Sequence, residues 1–298
     1  MKTYFIINPI AGKGKNKQSI EKIVKLIPKY FDEHEIYFTK FQGDAKNFVS
    51  RLKEIECRII CCGGDGTINE VVNGIGAYSS VVLGVIPTGS GNDFAREIGY
   101  NFNIDVLLKS FSKSNYKIID LGHLRITDNN ILFAGSCGIG FDALSAYYSS
   151  RTKYLRGILL YLISVFKAIS TYKSFKAEIH LNESILKKEL MMISIGNGKT
   201  SGGGFKLLPN AKINDGLIDF CLINSLNPLQ LLFYLPLAIW GKHIHIKHSE
   251  YFKQSNCKIK LYPGTYIHAD GEVISTNIEE IEVTVIKNGL KVLNSNDN

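Results

Sequence analysis

Three short stretches carry residues whose types and spacing suit phosphate chemistry. The densest is Cys62-Gly63-Gly64-Asp65-Gly66-Thr67-Ile68-Asn69-Glu70-Val71-Val72-Asn73-Gly74, which follows an apolar run and opens a helical pattern. Its glycines allow a sharp turn and a close backbone approach to a ligand, and the helix start behind them presents unpaired N–H groups with partial positive charge. Asp65 would repel phosphate alone, so a carboxylate here makes sense with Mg2+ between it and the phosphates; the plainer alternative is a helix cap. Two further glycine-bearing segments leave apolar runs, Asn8-Pro9-Ile10-Ala11-Gly12-Lys13-Gly14-Lys15 and Pro87-Thr88-Gly89-Ser90-Gly91-Asn92-Asp93-Phe94-Ala95-Arg96. The first lacks the GxxxxGK[ST] spacing of a P-loop and no GxGxxG follows the first strand, so a nucleotide would be held in another way.

These loops need a scaffold that brings them to one edge. Short apolar runs at 3–8, 35–39, 58–62 and 81–87 read as strands, and Ile20, Ile23, Val24, Ile27 and Phe31, then Phe48, Leu52 and Ile55, recur at helical spacing between them. That alternation predicts a parallel sheet with crossover helices, whose carboxyl strand ends share one edge. After a helical stretch ending near Phe111 the texture changes to β-rich runs at 117–121, 132–137, 175–181, 191–195, 217–223, 259–262, 266–269 and 281–285. The expected division is 1–115, an α/β nucleotide-binding domain, and 116–298, a mainly antiparallel β domain, with the last strand able to pack back on the first.

With 298 residues, 45% hydrophobic and 21% charged, the chain folds as one large or two medium domains and is not disordered. A formal net charge of +8 suits an anionic partner. Of nucleotide, membrane surface and nucleic acid, nucleic acid is the weakest expectation, because the basic residues are dispersed and neither zinc-finger nor RNP-like spacing is present. Six cysteines without a CxxC pair read as buried thiols, and the first apolar run is too short for a signal peptide, so a cytoplasmic protein is expected. The runs at 157–166 and 231–241 fall below the roughly 18 residues of a spanning helix.

Further motifs complete a pattern: Gly138-Ile139-Gly140-Phe141-Asp142-Ala143, then Gly202-Gly203-Gly204-Phe205-Lys206-Leu207-Leu208-Pro209-Asn210-Ala211 with Asn214-Asp215-Gly216-Leu217-Ile218-Asp219, and His268-Ala269-Asp270-Gly271-Glu272. With the three loops, these resemble nearly end to end the soluble diacylglycerol kinase-like lipid kinases, a group that includes sphingosine and ceramide kinases. The resemblance implies a first domain similar to NAD kinases and 6-phosphofructokinases, a β-sandwich-like second domain, and ATP in the cleft between them. It implies ATP contacts at Asn8, Pro9, Ile10, Ala11, Gly12, Thr39, Gly63, Gly64, Asp65, Gly66, Thr67, Ile68, Asn69, Glu70, Thr88 and Gly89. Asp65 and Asp93 resemble an acidic network that organises catalytic Mg2+, although Asp93 also suits a local helix cap.

Phosphorylating a lipid hydroxyl requires a group that takes its proton. The resemblance points to Glu272 as that base with Asp270 beside it; in a strand the two carboxylates share one face, whereas the rival is a β-turn bent at Asp270-Gly271. The resemblance also makes Asp215, with the carbonyls of Lys212 and Leu217, a structural metal site, in a segment that reads equally as a hairpin turn. His243, His245 and His248 read as a basic strand or helix end rather than a metal site. Arg151, Lys153 and Arg156 before the run 158–166 suit an anionic bilayer as well as they suit a core helix, while the run 231–240, interrupted by Pro236, reads as core. The expected activity is ATP- and Mg2+-dependent phosphorylation of a membrane lipid, diacylglycerol to phosphatidic acid first, at a peripheral membrane contact. Phosphatidylglycerol, a sphingoid base, a polyprenol or a non-catalytic regulator are the alternatives, and a homodimer is left open.

Overall fold

The computed structural model describes residues 1–14, 16–113, 115–127, 129–152, 157–181 and 184–295. Two compact units emerge, one of 1–121 with 287–298 and the other of 122–286. The division falls a few residues beyond the change of texture at 115/116, inside a strand common to both units.

The first unit alternates β1 (Thr3–Ile7), α1 (Lys17–Tyr30), β2 (His34–Phe38), α2 (Asp44–Val49), β3 (Arg58–Gly63), α3 (Asp65–Ile75), β4 (Val82–Pro87), α4 (Asp93–Ile98) and α5 (Ile104–Ser112). Strands β1, β3 and β4 are almost wholly buried apolar runs, as expected where helices cover both faces of a parallel sheet. The order is β2-β1-β3-β4, all parallel. Register sets where the loops emerge: Ile7 lies opposite Phe38 and Cys62, and Gly63 opposite Pro87, so the chain leaves all four strands at one level. The helical spacing through Ile55 is not realised. Helix α2 stops at Val49 and continues as three-residue turns, with the Leu52 and Ile55 amides bonded to Val49 and Leu52 carbonyls, which leaves Ile55 exposed.

Strand β5 (Tyr116–Ile126) runs into the second unit, which continues through β6 (Asn129–Phe133), β7 (Ser136–Gly140), α6 (Phe141–Arg151), α7 (Gly157–Thr171), β8 (Phe175–His180), β9 (Ile185–Gly196), β10 (Ile218–Asn224), α8 (Pro228–Ile239), β11 (Ser249–Gln254), β12 (Asn256–Ala269) and β13 (Glu272–Leu293). Two long strands organise it. Strand β9 pairs β8 along Ile185–Leu190 and β7 along Met192–Gly196, and β12 pairs the same two, so the antiparallel sheet folds over a core built around Phe133, Phe175 and Phe220. A second core, with Phe141, Phe205 and Leu208, lies under the helices. The end of β13, Lys291 and Val292, pairs parallel with β4. All six cysteines are buried and unbridged; burial pushes the Cys57 thiol up to about 11 and that of Cys257 to about 12. Among the described residues no helix is long and apolar enough to cross a membrane.

Candidate active site

In the first unit the three glycine-bearing loops touch. The Asn8 amide group donates to Thr67 Oγ1 at 2.9 Å while its oxygen accepts from the Ile10 N–H at 3.0 Å, which ties the first loop to the second. The Thr88 N–H donates to the Gly63 carbonyl at 2.9 Å. A side chain on Gly89 would lie 2.4 Å from the Gly64 Cα, so only glycines allow the second and third loops to pack backbone against backbone. Gly12 has a φ of +57°, and a side chain there would lie 2.8 Å from the Thr88 carbonyl. Thr39 is buried, with its N–H on the Ile7 carbonyl at 2.9 Å. Ile10 is exposed, and Thr88 Oγ1 is buried without a hydrogen-bond partner. An orphaned buried hydroxyl costs free energy that a ligand oxygen would recover.

The acidic residues divide by task. Asp65 begins α3 and its Oδ1 accepts the Phe94 N–H at 3.3 Å, so it braces the start of α4. Asp93, first residue of α4, immediately precedes the residue whose amide Asp65 holds, and it receives Arg96 at 3.4 Å. Asn92, whose importance spacing did not announce, sits at φ +57° and exchanges hydrogen bonds with both the N–H and the carbonyl of Gly89. Glu70 is placed differently from the nucleotide-contact expectation: its two oxygens accept the Gly43 and Ala45 N–H groups at 2.8 and 3.2 Å, holding the first turn of α2. Asn69 faces Asn73 one turn on, at 2.9 and 3.2 Å. Two hard carboxylates beside a glycine cradle that side chains would fill form a donor set that fits Mg2+ with phosphates.

In the second unit, Asp270 and Glu272 do not share a strand face. Strands β12 and β13 are joined by a two-residue turn in which Ala269 pairs with Glu272, and Asp270 and Gly271 have φ of +47° and +84°. This is the turn alternative, because two successive left-handed residues match the twist of a tight hairpin. The Asp270 carboxylate turns back on the chain and accepts three N–H groups, from Ala134 at 3.1 Å, Gly135 at 2.9 Å and Ser136 at 3.0 Å. Glu272 opens β13 and is exposed. Beneath the turn lies a pair that received no role from the sequence. The Gly271 N–H donates to His268 Nδ1 at 3.2 Å, so the ring proton resides on Nε2, which faces Asp142 Oδ2 at 3.1 Å. Both side chains are buried, and Gly138 leaves them room: a Cβ there would stand 2.3 Å from the Asp142 oxygen.

Asp215 stands in the loop before β10, flanked by Lys212 and Leu217, but a lysine reaches it. Lys253 Nζ donates to Asp215 Oδ2 at 3.0 Å and to the Asn210 carbonyl at 3.1 Å, and it lies 3.2 Å from the buried Asp219 carboxylate. The second Asp215 oxygen accepts the Leu217 N–H at 3.2 Å. Burial pushes the Asp219 carboxyl up, against the Tyr251 hydroxyl and Lys253, which pull it down. Lys253 thus occupies one oxygen of the carboxylate that the resemblance gives to a structural divalent ion, and its ammonium would compete with such a cation at Asp215.

The helix side of this unit contains a small apolar pocket whose walls include Phe141, Met192, Phe205, Leu231, Tyr234 and Leu235. His243 also borders it and lies in a 3-10 turn, Lys242–His245, that follows α8, so the helix-end reading of this segment holds and the strand reading does not. Its Nε2–H donates to the Leu207 carbonyl at 3.2 Å, and burial lowers its pKa to about 4. Lys153 and Arg156 lie outside the described residues; Arg151 stacks on Tyr147 at 4.1 Å.

A parallel α/β unit with converging glycine-bearing loops, followed by an antiparallel β unit, is a two-domain fold of the NAD kinase-like kind, and comparison with known proteins specifies the family. The diacylglycerol kinase catalytic domain description matches residues 2–124, and that of the YegS C-terminal NAD kinase beta sandwich-like domain matches 135–293. The chain belongs to the diacylglycerol kinase-like family and is a lipid kinase. The diacylglycerol kinase of Bacillus subtilis (strain 168) is 29% identical over 273 residues, 90% of this chain and 88% of that protein. A diacylglycerol kinase structure from Bacillus anthracis str. Sterne superposes with a TM-score of 0.77 at 24% identity, over 98% of this chain and 96% of that one. An Archaeoglobus fulgidus NAD kinase, solved with ATP, shares the fold alone, with a TM-score of 0.54 at 13% identity over 98% and 94%.

Proposed function

We propose that this kinase transfers the γ-phosphoryl group of ATP, with Mg2+, to the free hydroxyl of diacylglycerol, yielding phosphatidic acid. The observation that carries the reading is the convergence of three glycine-bearing loops at one edge of the parallel sheet, where Gly64 and Gly89 meet and Thr88 holds a buried hydroxyl without a partner. The Asn8, Gly12, Gly64 and Gly89 backbones supply a surface that phosphate oxygens can approach closely, and the α3 N-terminus adds favourable potential. Asp65 and Asp93 would hold Mg2+, which when bound supplies positive charge to the polyphosphate. Glu272 takes the hydroxyl proton as the acceptor oxygen attacks. Asp270 fixes the turn that presents Glu272, through its three N–H bonds. The curated relatives named diacylglycerol kinase favour diacylglycerol over other lipid alcohols.

The test is incubation of the full chain with labelled ATP, Mg2+ and mixed micelles of diacylglycerol, phosphatidylglycerol, a sphingoid base or a polyprenol. Label is expected in phosphatidic acid. Label confined to another lipid overturns the substrate, and no labelled lipid with ATP bound leaves a nucleotide-binding regulator.

A further inference from the structure

Helix α8 is apolar around almost its whole circumference, yet half of it is exposed. Leu231 and Ala238 are buried and Tyr234 and Leu235 border the apolar pocket, while Leu229 is 80% exposed, Phe233 75%, Leu232 40% and Trp240, just past the helix, 62%. With the exposed Pro236 these residues recur at helical spacing and form one stripe. The core placement expected for the run 231–240 is therefore half right: continuous apolarity fits burial on both faces, and only one face is buried. The helix is firmly built. Asn227 and Gln230 form a reciprocal capping box at 2.9 and 3.0 Å, with Pro228 in the first turn.

Charge selects the partner. No acidic residue occurs between Asp219 and Glu250, whereas Lys242, Lys247 and three histidines do. The Lys206 N–H bonds to the Ala238 carbonyl at 2.9 Å, which brings a second exposed lysine beside Lys242 at the C-terminal end of the stripe. A two-fold pairing of copies through this stripe would offer the lysines no acidic residue of the segment 220–249 as a partner, whereas an anionic bilayer offers hydrocarbon to the stripe and phosphates to its basic end. A tryptophan at that junction suits the headgroup level.

We propose that α8 is a membrane-docking helix, which inserts Leu229, Phe233 and Trp240 shallowly into an anionic bilayer while Lys206 and Lys242 meet its headgroups. The proposal rests on the lipid-kinase reading only in giving the protein a reason to visit a bilayer. Trp240 is the chain's one tryptophan, so intrinsic emission reports this surface alone. Adding phosphatidylglycerol-containing vesicles to the full chain should shift Trp240 emission to the blue and make it quenchable by brominated acyl chains. Phe233→Glu should weaken vesicle affinity by at least roughly thirtyfold, the equivalent of about 2 kcal/mol for one inserted side chain. Lys206→Ala and Lys242→Ala should each cost about fivefold at low salt and little at high salt.

Vesicle binding without a change in Trp240 emission overturns the proposal, as does unchanged affinity of the Phe233→Glu and Phe233→Ser variants. A blue shift that needs no vesicles and follows protein concentration assigns the stripe to a second copy instead. Turnover on a short-chain, monomeric diacylglycerol separates this idea from the substrate reading: Phe233→Glu should keep it while losing turnover on vesicles. If no lipid is phosphorylated but Trp240 still inserts, docking stands and the substrate reading falls. If vesicle turnover survives Phe233→Glu, docking by α8 falls and the kinase stands.

Discussion

Replacing each carboxylate of the β12–β13 turn by its amide should separate architecture from chemistry. Asp270 accepts the Ala134, Gly135 and Ser136 N–H groups at 3.1, 2.9 and 3.0 Å. Asp270→Asn keeps one oxygen for the Gly135 and Ser136 groups but loses the charge that strengthens both bonds, and sets its NH2 against the Ala134 donor. Hydrogen bonds to a charged group contribute about 1.5–3 kcal/mol and neutral ones about 0.5–1.5, so two weakened bonds and one lost amount to roughly 5 kcal/mol. For a unit of this size that lowers Tm by about 10–20 °C. Asparagine tolerates the +47° φ as aspartate does, so backbone strain adds nothing. Glu272 is exposed, so Glu272→Gln should stay within about 0.5 kcal/mol of the parent in stability. Turnover should nevertheless fall by roughly 10^2 to 10^4, with ATP affinity preserved. Thermal melts, equilibrium ATP binding and labelled-lipid turnover on the same preparations make the comparison. A parent-like melt for Asp270→Asn with collapsed turnover would return Asp270 to the chemistry, and substantial turnover in Glu272→Gln would remove the base assignment.

Asp65→Asn keeps an oxygen for the Phe94 N–H, so its melt should stay within about 1 kcal/mol while kcat falls at least roughly 100-fold; near-normal kcat takes Asp65 out of the mechanism. Lys253→Met leaves the buried Asp219 carboxylate without its ammonium and should cost about 3–5 kcal/mol in denaturant unfolding, whereas chelator should leave the parent melt unchanged. A parent melt that drops on chelation and recovers with Mg2+ would assign Asp215 to the divalent ion instead. His243 stays neutral in the fold, its pKa lowered from 6.5 to about 4 by burial. The unfolded chain therefore takes up the proton first on acidification, so this contribution is complete above pH 6.5 and is lost as pH falls toward 4, about 3 kcal/mol in all. Unfolding of His243→Gln across that interval should lack this component; an unchanged acid slope would assign the loss to other groups.

How much of the molecule was legible in the sequence depends on the range of the forces involved. The four strands and their glycine exits are local features: buried parallel strands read as apolar runs, and register then places their ends together. The Asp270-Gly271 element was ambiguous because two carboxylates two residues apart describe a strand face and a tight turn equally, and the three amides that decide the matter lie more than 130 residues away. Lys253 had no signal at all, because it reaches Asp215 across 38 residues. Nor did pairing between Asp142 and His268, 126 residues apart, although both letters stood within recognised motifs. Helix α8 misled for another reason: hydrophobicity reports that a face avoids water, not what covers it.

The same long-range contacts bear on how the carboxylate proposed as the base is positioned. A general base needs fixed position and ready exchange of protons with its surroundings. In the β12–β13 turn the backbone is restrained one and two residues earlier. Asp270 clamps the chain to the amides of residues 134–136, and Gly271 is tied by its N–H to a histidine that Asp142 orients from below. Glu272 thus comes directly after two anchored residues and begins a strand whose partner, Ala269, is also buried. Glu70 and Asp44 are engaged likewise, the first on the Gly43 and Ala45 amides and the second on the Tyr37 hydroxyl and the Lys40 N–H, which fix the approach to α2. Acidic residues that brace backbone surround those proposed to act on ligands, and a motif that gathers both kinds cannot be apportioned until the amide partners of each oxygen are known.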